Sequence, residues 1–239
     1  MKIAVINFSG NVGKSTLARH LLLPRIPGAK LLGVESLNSD EGGATTVRGR
    51  QFADLQEYLQ TVESAVVDIG ASNVEELMSL MRMYHGSHED IDCFVVPTVP
   101  PVKQQKDTTA TLLELASLGV SPSRLRVVFN MVELRTEVER TFEPLLAFLA
   151  AHPIAIANPR AYLSANELYA RVKRVDGDIG SLAAETTNFK DLINKAATVP
   201  EKLQLAQKLA THRLARGVLP ELDACFEALN LGVEVSVTP

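Results

Sequence analysis

Short apolar runs alternate with helical patterns along the first two thirds of this chain. Lys2 to Asn7, Lys30 to Glu35, Ser64 to Asp68, Asp92 to Pro97 and Leu125 to Asn130 read as strands, and Pro153 to Ala157 reads as a sixth. Runs that are apolar at nearly every position suit strands covered on both faces, as in a parallel sheet. Between them, residues 14–24, 50–61, 73–84, 104–118 and 136–151 carry helical patterns. This alternation predicts an α/β fold, a mainly parallel sheet flanked by helices on both faces. From about residue 160 the pattern is almost wholly helical. Leu203, Ala206, Leu209, Ala210 and Leu214 recur at helical spacing, which predicts a helix docked on the domain. Pro200 and the run Gly217-Val218-Leu219-Pro220 are its expected ends. The expected organisation is a single domain over 1–231, its helical part over about 160–231, and a flexible tail over 232–239.

Composition narrows this picture. Of 239 residues, 46% are apolar and 22% charged, enough to bury a sizeable core and to exclude global disorder. The net charge of −4 gives no whole-protein argument for nucleic-acid binding. Local clusters remain: Arg171, Lys173 and Arg174, and, on one helix opposed only by Glu201, Lys202, Lys208, Arg213 and Arg216. They read either as a solvated helix face or as contacts to DNA phosphates without sequence specificity. No aromatic residues interleave with them, so stacking on single strands is not supported. Two cysteines without a paired framework fit a reducing cytoplasm, and Cys93 lies in an apolar run as a core residue. No run approaches the roughly 20 apolar residues of a membrane span. A cytoplasmic protein is expected.

The chemistry concentrates at Gly10-Asn11-Val12-Gly13-Lys14-Ser15-Thr16, after a strand and at the start of a helix. Backbone N–H groups of such a loop converge on phosphate, and the helix adds its positive end. Gly10 and Gly13 admit the anion, Lys14 reaches the β- and γ-phosphate oxygens, and the Ser15 hydroxyl can ligate Mg²⁺. Where the common pattern has its first Gly, this chain has Phe8. Asp68, at a strand end, is a candidate Mg²⁺ partner through water, and Gly70 makes residues 68–73 a candidate switch. Asn130, at another strand end, is either a turn residue or a reader of an adenine edge. Glu133 stands where GTPases carry an Asp for guanine, but the Lys of that motif is missing. ATP is therefore preferred, with GTP or CTP open. His85 and His88 fit a polar surface loop better than a zinc site.

The segment from Asn7 to Thr16 resembles the deviant Walker A loop of the ParA/MinD family of P-loop ATPases, which often lacks the first Gly. Val66-Val67-Asp68-Ile69-Gly70 resembles its Walker B and switch II region, and Val95-Val96-Pro97-Thr98 its next core strand. Val127 to Val132 resembles the strand whose Asn meets the base. Ala157-Asn158-Pro159-Arg160 resembles a late segment near the nucleotide, which puts Pro159 among the expected cofactor-binding residues. The exact loop looks most like that of StbB/TraL-type plasmid stability and conjugative-transfer proteins. The resemblance implies a homodimer formed across two ATPs, in which a signature Lys early in each loop reaches the partner's phosphate. Here Ser9 holds that position, and a hydroxyl cannot supply the charge. The family's switch I Asp has no clean counterpart, and Glu35 or Asp40 is the candidate to orient the attacking water. Also implied is a nucleotide-dependent switch in plasmid stability, positioning or conjugative transfer, binding ATP with Mg²⁺, hydrolysing it slowly, and partnered by a plasmid-encoded DNA-binding protein. The alternatives are a metabolic P-loop enzyme acting on a small molecule and a nucleotide-binding scaffold that does not hydrolyse.

Overall fold

The computed structural model describes residues 1–34, 44–173 and 178–232, with the backbone alone for 44–51. Six strands, β1 (Lys2–Val5), β2 (Lys30–Val34), β3 (Ala65–Ile69), β4 (Cys93–Thr98), β5 (Leu125–Val132) and β6 (Ile156–Ser164), form one sheet in the order β2-β3-β1-β4-β5-β6. Every pairing is parallel. The intervening helices are α1 (Lys14–Thr16), α2 (Ala44–Thr61), α3 (Val74–Met83), α4 (Val102–Ser117), α5 (Val138–Thr141) and α6 (Glu143–Ala151). After Thr16 the first helix widens to π pitch over Leu17–Leu22 and tightens to a 3₁₀ turn over Leu23–Arg25.

The apolar runs of β1, β3, β4 and β5 became strands buried on both faces, while the edge strands β2 and β6 are only partly covered. Ala4, Ile6, Val67, Phe94, Val96, Val127 and Phe129 belong to one core with Leu112, Leu115, Phe142 and Leu145. Ile3 and Val5 alternate to the opposite face and are equally buried. Cys93 is a buried core residue as expected, and burial pushes its thiol up to about 11.

Strand order decides where a ligand can bind. The chain leaves β1 towards the β2 edge and leaves β4 towards the β6 edge. The crevice beyond the carboxyl ends of β1 and β4 is therefore the topological switch point, where open α/β sheets bind ligands.

Two expectations need correction. The sixth strand begins at Ile156, not Pro153, and runs on to Ser164, so 160–164 is not helical. Pro159 cannot donate to a ladder. Here it lies on an edge strand, opposite a shift in register between Val127 and Phe129, where Pro is tolerated. Pro220 does not end the last helix either: α10 runs unbroken over Val199–Leu229. Its far end is secured instead. Arg126 Nε donates to the Leu229 carbonyl at 2.8 Å and Asn158 Nδ2 to the Ala228 carbonyl at 3.0 Å, satisfying carbonyls the helix leaves open. Gly217, with open space where its Cβ would be, lies beside the carbonyl that the Pro220 ring crowds.

The chain divides into two compact units, Met1–Ala165 with the segment from Cys225, and Asn166–Ala224. The second holds α7 (Leu168–Val172), α8 (Ile179–Ala184), α9 (Phe189–Lys195) and most of α10. His212 on α10 bonds the Leu182 carbonyl at 2.9 Å and packs on Phe189. A reciprocal cap opens α10: the Thr198 N–H donates to Glu201 Oε2 at 3.1 Å, and the Glu201 N–H to Thr198 Oγ1 at 3.4 Å. The bond from the Thr198 N–H, with those from the Thr198 hydroxyl and the Ala197 N–H, holds the Glu201 carboxyl below its ordinary range. Among the described residues, no helix is long and apolar enough to cross a membrane.

Candidate functional site

The phosphate loop leaves β1 into the switch-point crevice and is fastened on two sides. Its second half holds two left-handed residues, Asn11 (φ 57°) and Gly13 (φ 88°). Asn adopts that conformation at modest cost. At Gly13 two demands coincide, since a Cβ there would also stand 2.1 Å from Asn130 Nδ2. The Asn130 amide, buried at the end of β5, fills that space and donates to the Val12 carbonyl at 2.8 Å. Gly10 is exposed and meets nothing where a Cβ would stand, so only a ligand approaching from outside would require glycine there.

Helix α4 holds the first half. The Asn7 amide donates to the Pro97 carbonyl (2.8 Å) and to Thr108 Oγ1 (2.9 Å), and its oxygen accepts from the Ser9 N–H (2.7 Å). The Phe8 N–H donates to Thr111 Oγ1 at 3.1 Å, and the Ser9 hydroxyl to Asp107 Oδ2 at 2.8 Å. Asn7, Asp107, Thr108 and Thr111 escaped the sequence reading, although Gln105, Thr108 and Thr111 repeat every third residue in the stripe that continues to Leu112. Ser9 is itself buried.

Lys14, Ser15 and Thr16 open α1. The first ladder bond runs from the Leu17 N–H to the Gly13 carbonyl at 2.9 Å, so the N–H groups just ahead of it remain for an anion. The Lys14 ammonium folds back onto the loop, donating to the carbonyls of Ser9 (2.8 Å) and Asn7 (3.2 Å). Burial pushes its pKa down to about 8, and the negative charge of Asp68 opposes that shift. Asp68 is buried too, and its Oδ1 has no hydrogen-bond partner among the described residues. An orphaned, buried carboxylate oxygen beside a phosphate loop fits a hydrated Mg²⁺, which binds through few carboxylates. Beyond Gly70, the Asn73 amide ties the start of α3 to the Val34 carbonyl of β2.

Lys14, Asp68, Asn130 and the loop from Ser9 to Thr16 thus gather at the carboxyl ends of β1, β3 and β5. Pro159 does not join them: it lies within β6, three strand spacings or about 14 Å from β1 along the sheet. Glu35, Asp40 and Arg174 lie outside the described residues. Lys202, Lys208, Arg213 and Arg216 are exposed on α10, and Arg171 pairs with Glu167 at 3.1 Å. His85 and His88 belong to no group of three metal-ligating residues among the described ones.

An all-parallel α/β sheet with a Gly-Lys-Ser loop between its central strand and first helix is a P-loop NTPase fold. Solved structures agree. A variant of McdA from Cyanothece in complex with ATP superposes with a TM-score of 0.52 at 13% identity, over 99% of this chain and 98% of that one. Apo McdA from the same source gives 0.52 and 13%, over 98% and 99%. The ParA/MinD-like fold expected from the sequence is the fold observed. No family model and no curated protein matches the chain.

Proposed function

We propose that this chain is a ParA-like, nucleotide-dependent molecular switch that binds ATP with Mg²⁺ on the loop from Ser9 to Thr16. One observation carries the reading: Lys14, on a preshaped loop, spends its ammonium on two loop carbonyls next to an Asp68 oxygen that has no hydrogen-bond partner among the described residues. That is the arrangement expected where a triphosphate and its cation are to bind. Lys14 would exchange the Asn7 and Ser9 carbonyls for phosphate oxygens. Ser15 and Asp68 would hold Mg²⁺, which supplies charge neutralisation between the β- and γ-phosphates. Asn130 shapes the loop first and contacts the base second, and Glu35 orients the attacking water. The ATP complex of a protein with the same fold supports ATP as the nucleotide. The loop's resemblance to StbB/TraL-type proteins supports a role in plasmid stability, positioning or conjugative transfer, as a homodimer with a plasmid-encoded DNA-binding partner.

Binding and turnover of ATP, GTP and CTP, measured with and without Mg²⁺ and DNA, test this. ATP binding that requires Lys14, with slow Mg²⁺-dependent turnover, is the expected result. Failure to bind any nucleoside triphosphate sinks the proposal. The bond from Ser9 to Asp107 favours a second reading, a scaffold that binds without hydrolysing. It puts a hydroxyl already committed to a carboxylate where a cation would assist phosphoryl transfer. Tight binding with no turnover, even with DNA present, selects it.

A further inference from the structure

The amino-terminal half of α10 presents an uncovered seam. From Val199 to Leu214 no side chain is buried, whereas Ala215, Val218 and Leu222 are. Val199 is 78% exposed and Leu203 59%. Val199, Leu203, Ala206 and Ala210 follow one another at spacings of four, three and four, the spacing of a seam between paired helices. On a helix of 3.6 residues per turn they occupy an arc of about 60°. Lys202, Arg213 and Arg216 fall along one flank of that arc, and Lys208 falls on the far side. None of the three flanking cations has an ion pair among the described residues. The other side of this half is partly covered, through His212 on Leu182 and Phe189, so the seam is the part of it left open to a partner.

We infer that this seam docks an amphipathic helix of another protein, apolar along its own seam and acidic along one edge. The charges decide between occupants. A symmetric antiparallel pair of copies would set this basic flank against itself. A parallel pair would set Arg213 against Arg213 across the seam. Both repel. DNA phosphates would satisfy the cations but leave Val199 and Leu203 unburied, and Lys208 could not reach the same duplex face. An acidic helix satisfies the seam and its flank together.

The test uses the full chain and two fluorescein-labelled designed peptides of about three heptads. Both carry Leu along the seam; one carries Glu on its flanks and the other Lys. Anisotropy titrations should show binding of the Glu peptide only. Leu203→Asp should weaken it about tenfold or more. Lys202→Glu with Arg216→Glu should reverse the preference to the Lys peptide. Both variants change exposed residues, and unchanged circular dichroism would show that they fold. Failure to bind the Glu peptide overturns the proposal, as does binding indifferent to Leu203→Asp. A labelled duplex that needs the cations but not Leu203, without peptide binding, would make the stripe a nucleic-acid face instead. A chain mass that doubles with concentration and reverts in Leu203→Asp would make the occupant a second copy.

Discussion

At the scale of single residues, Lys14 carries an electrostatic burden in the folded chain. A buried ammonium is disfavoured, which is why burial brings its pKa from an ordinary 10.5 down to about 8. Between those values the unfolded chain holds this proton more tightly than the folded one. The burden is therefore fully present at and below neutral pH and is relieved as pH rises from 8 towards 10.5. Lys14→Met keeps the buried stem and drops the charge. It should raise the melting temperature of the ligand-free chain by a few degrees at pH 7 while abolishing ATP binding; thermal unfolding and calorimetry measure the two effects. Unchanged ATP affinity would remove Lys14 from the site. A bound triphosphate favours the charged ammonium and raises its pKa again. Binding at pH 8 should then take up a proton, and affinity should fall as pH climbs above 8. Calorimetry at pH 8 in two buffers of different ionisation enthalpy reads the uptake directly.

At the scale of elements, the loop keeps its shape because β5 and α4 clamp it from two sides. Gly13→Ala meets both left-handed strain and the Asn130 amide, so it should eliminate nucleotide binding. Adding Asn130→Ala opens the space but leaves the strain, and binding should return only in part. A double-mutant cycle separates the two terms. On the α4 side, Asn7→Ala removes three hydrogen bonds from a fully buried residue. It should cost on the order of 2–4 kcal/mol in urea unfolding. These clamps mark where reading the sequence succeeds and stops. Gly-Lys-Ser-Thr is legible because its chemistry is contiguous, and β1, β3, β4 and β5 because both of their faces are buried. Asp107, Thr108 and Thr111 lie about a hundred positions from the loop they hold, and only the fold brings them there. The extent of β6, through Ser164, is not legible for a related reason. An edge position and a shifted register make the missing N–H of Pro159 harmless, and only the fold supplies both.

At the scale of the molecule, α10 divides into halves with different supports, and its sequence conceals this. Leu203, Ala206, Leu209, Ala210 and Leu214 promise a docked helix, yet none is buried. Pro220 promises an end, yet the helix continues through Val218, Leu222, Cys225, Phe226 and Leu229, all buried. Helical spacing records that a face is apolar, not whether anything covers it. Packing and the bonds from Arg126 and Asn158 hold the second half, while the first relies on its cap at Thr198 and on His212. Local opening follows buried contact, so the two halves should exchange amide hydrogens at different rates. Amides over 203–214 should exchange at least about a hundredfold faster than those over 222–229, a gap of nearly 3 kcal/mol in opening free energy. Mass spectrometry of peptic fragments after deuterium labelling measures both segments in one experiment. Thr198→Ala should widen the gap by fraying the first turns, leaving 222–229 unchanged. Equal protection across the two halves would mean that exposed residues suffice to hold the first one. A docked acidic helix should close the gap from the fast side alone, because only the first half has a face left to cover.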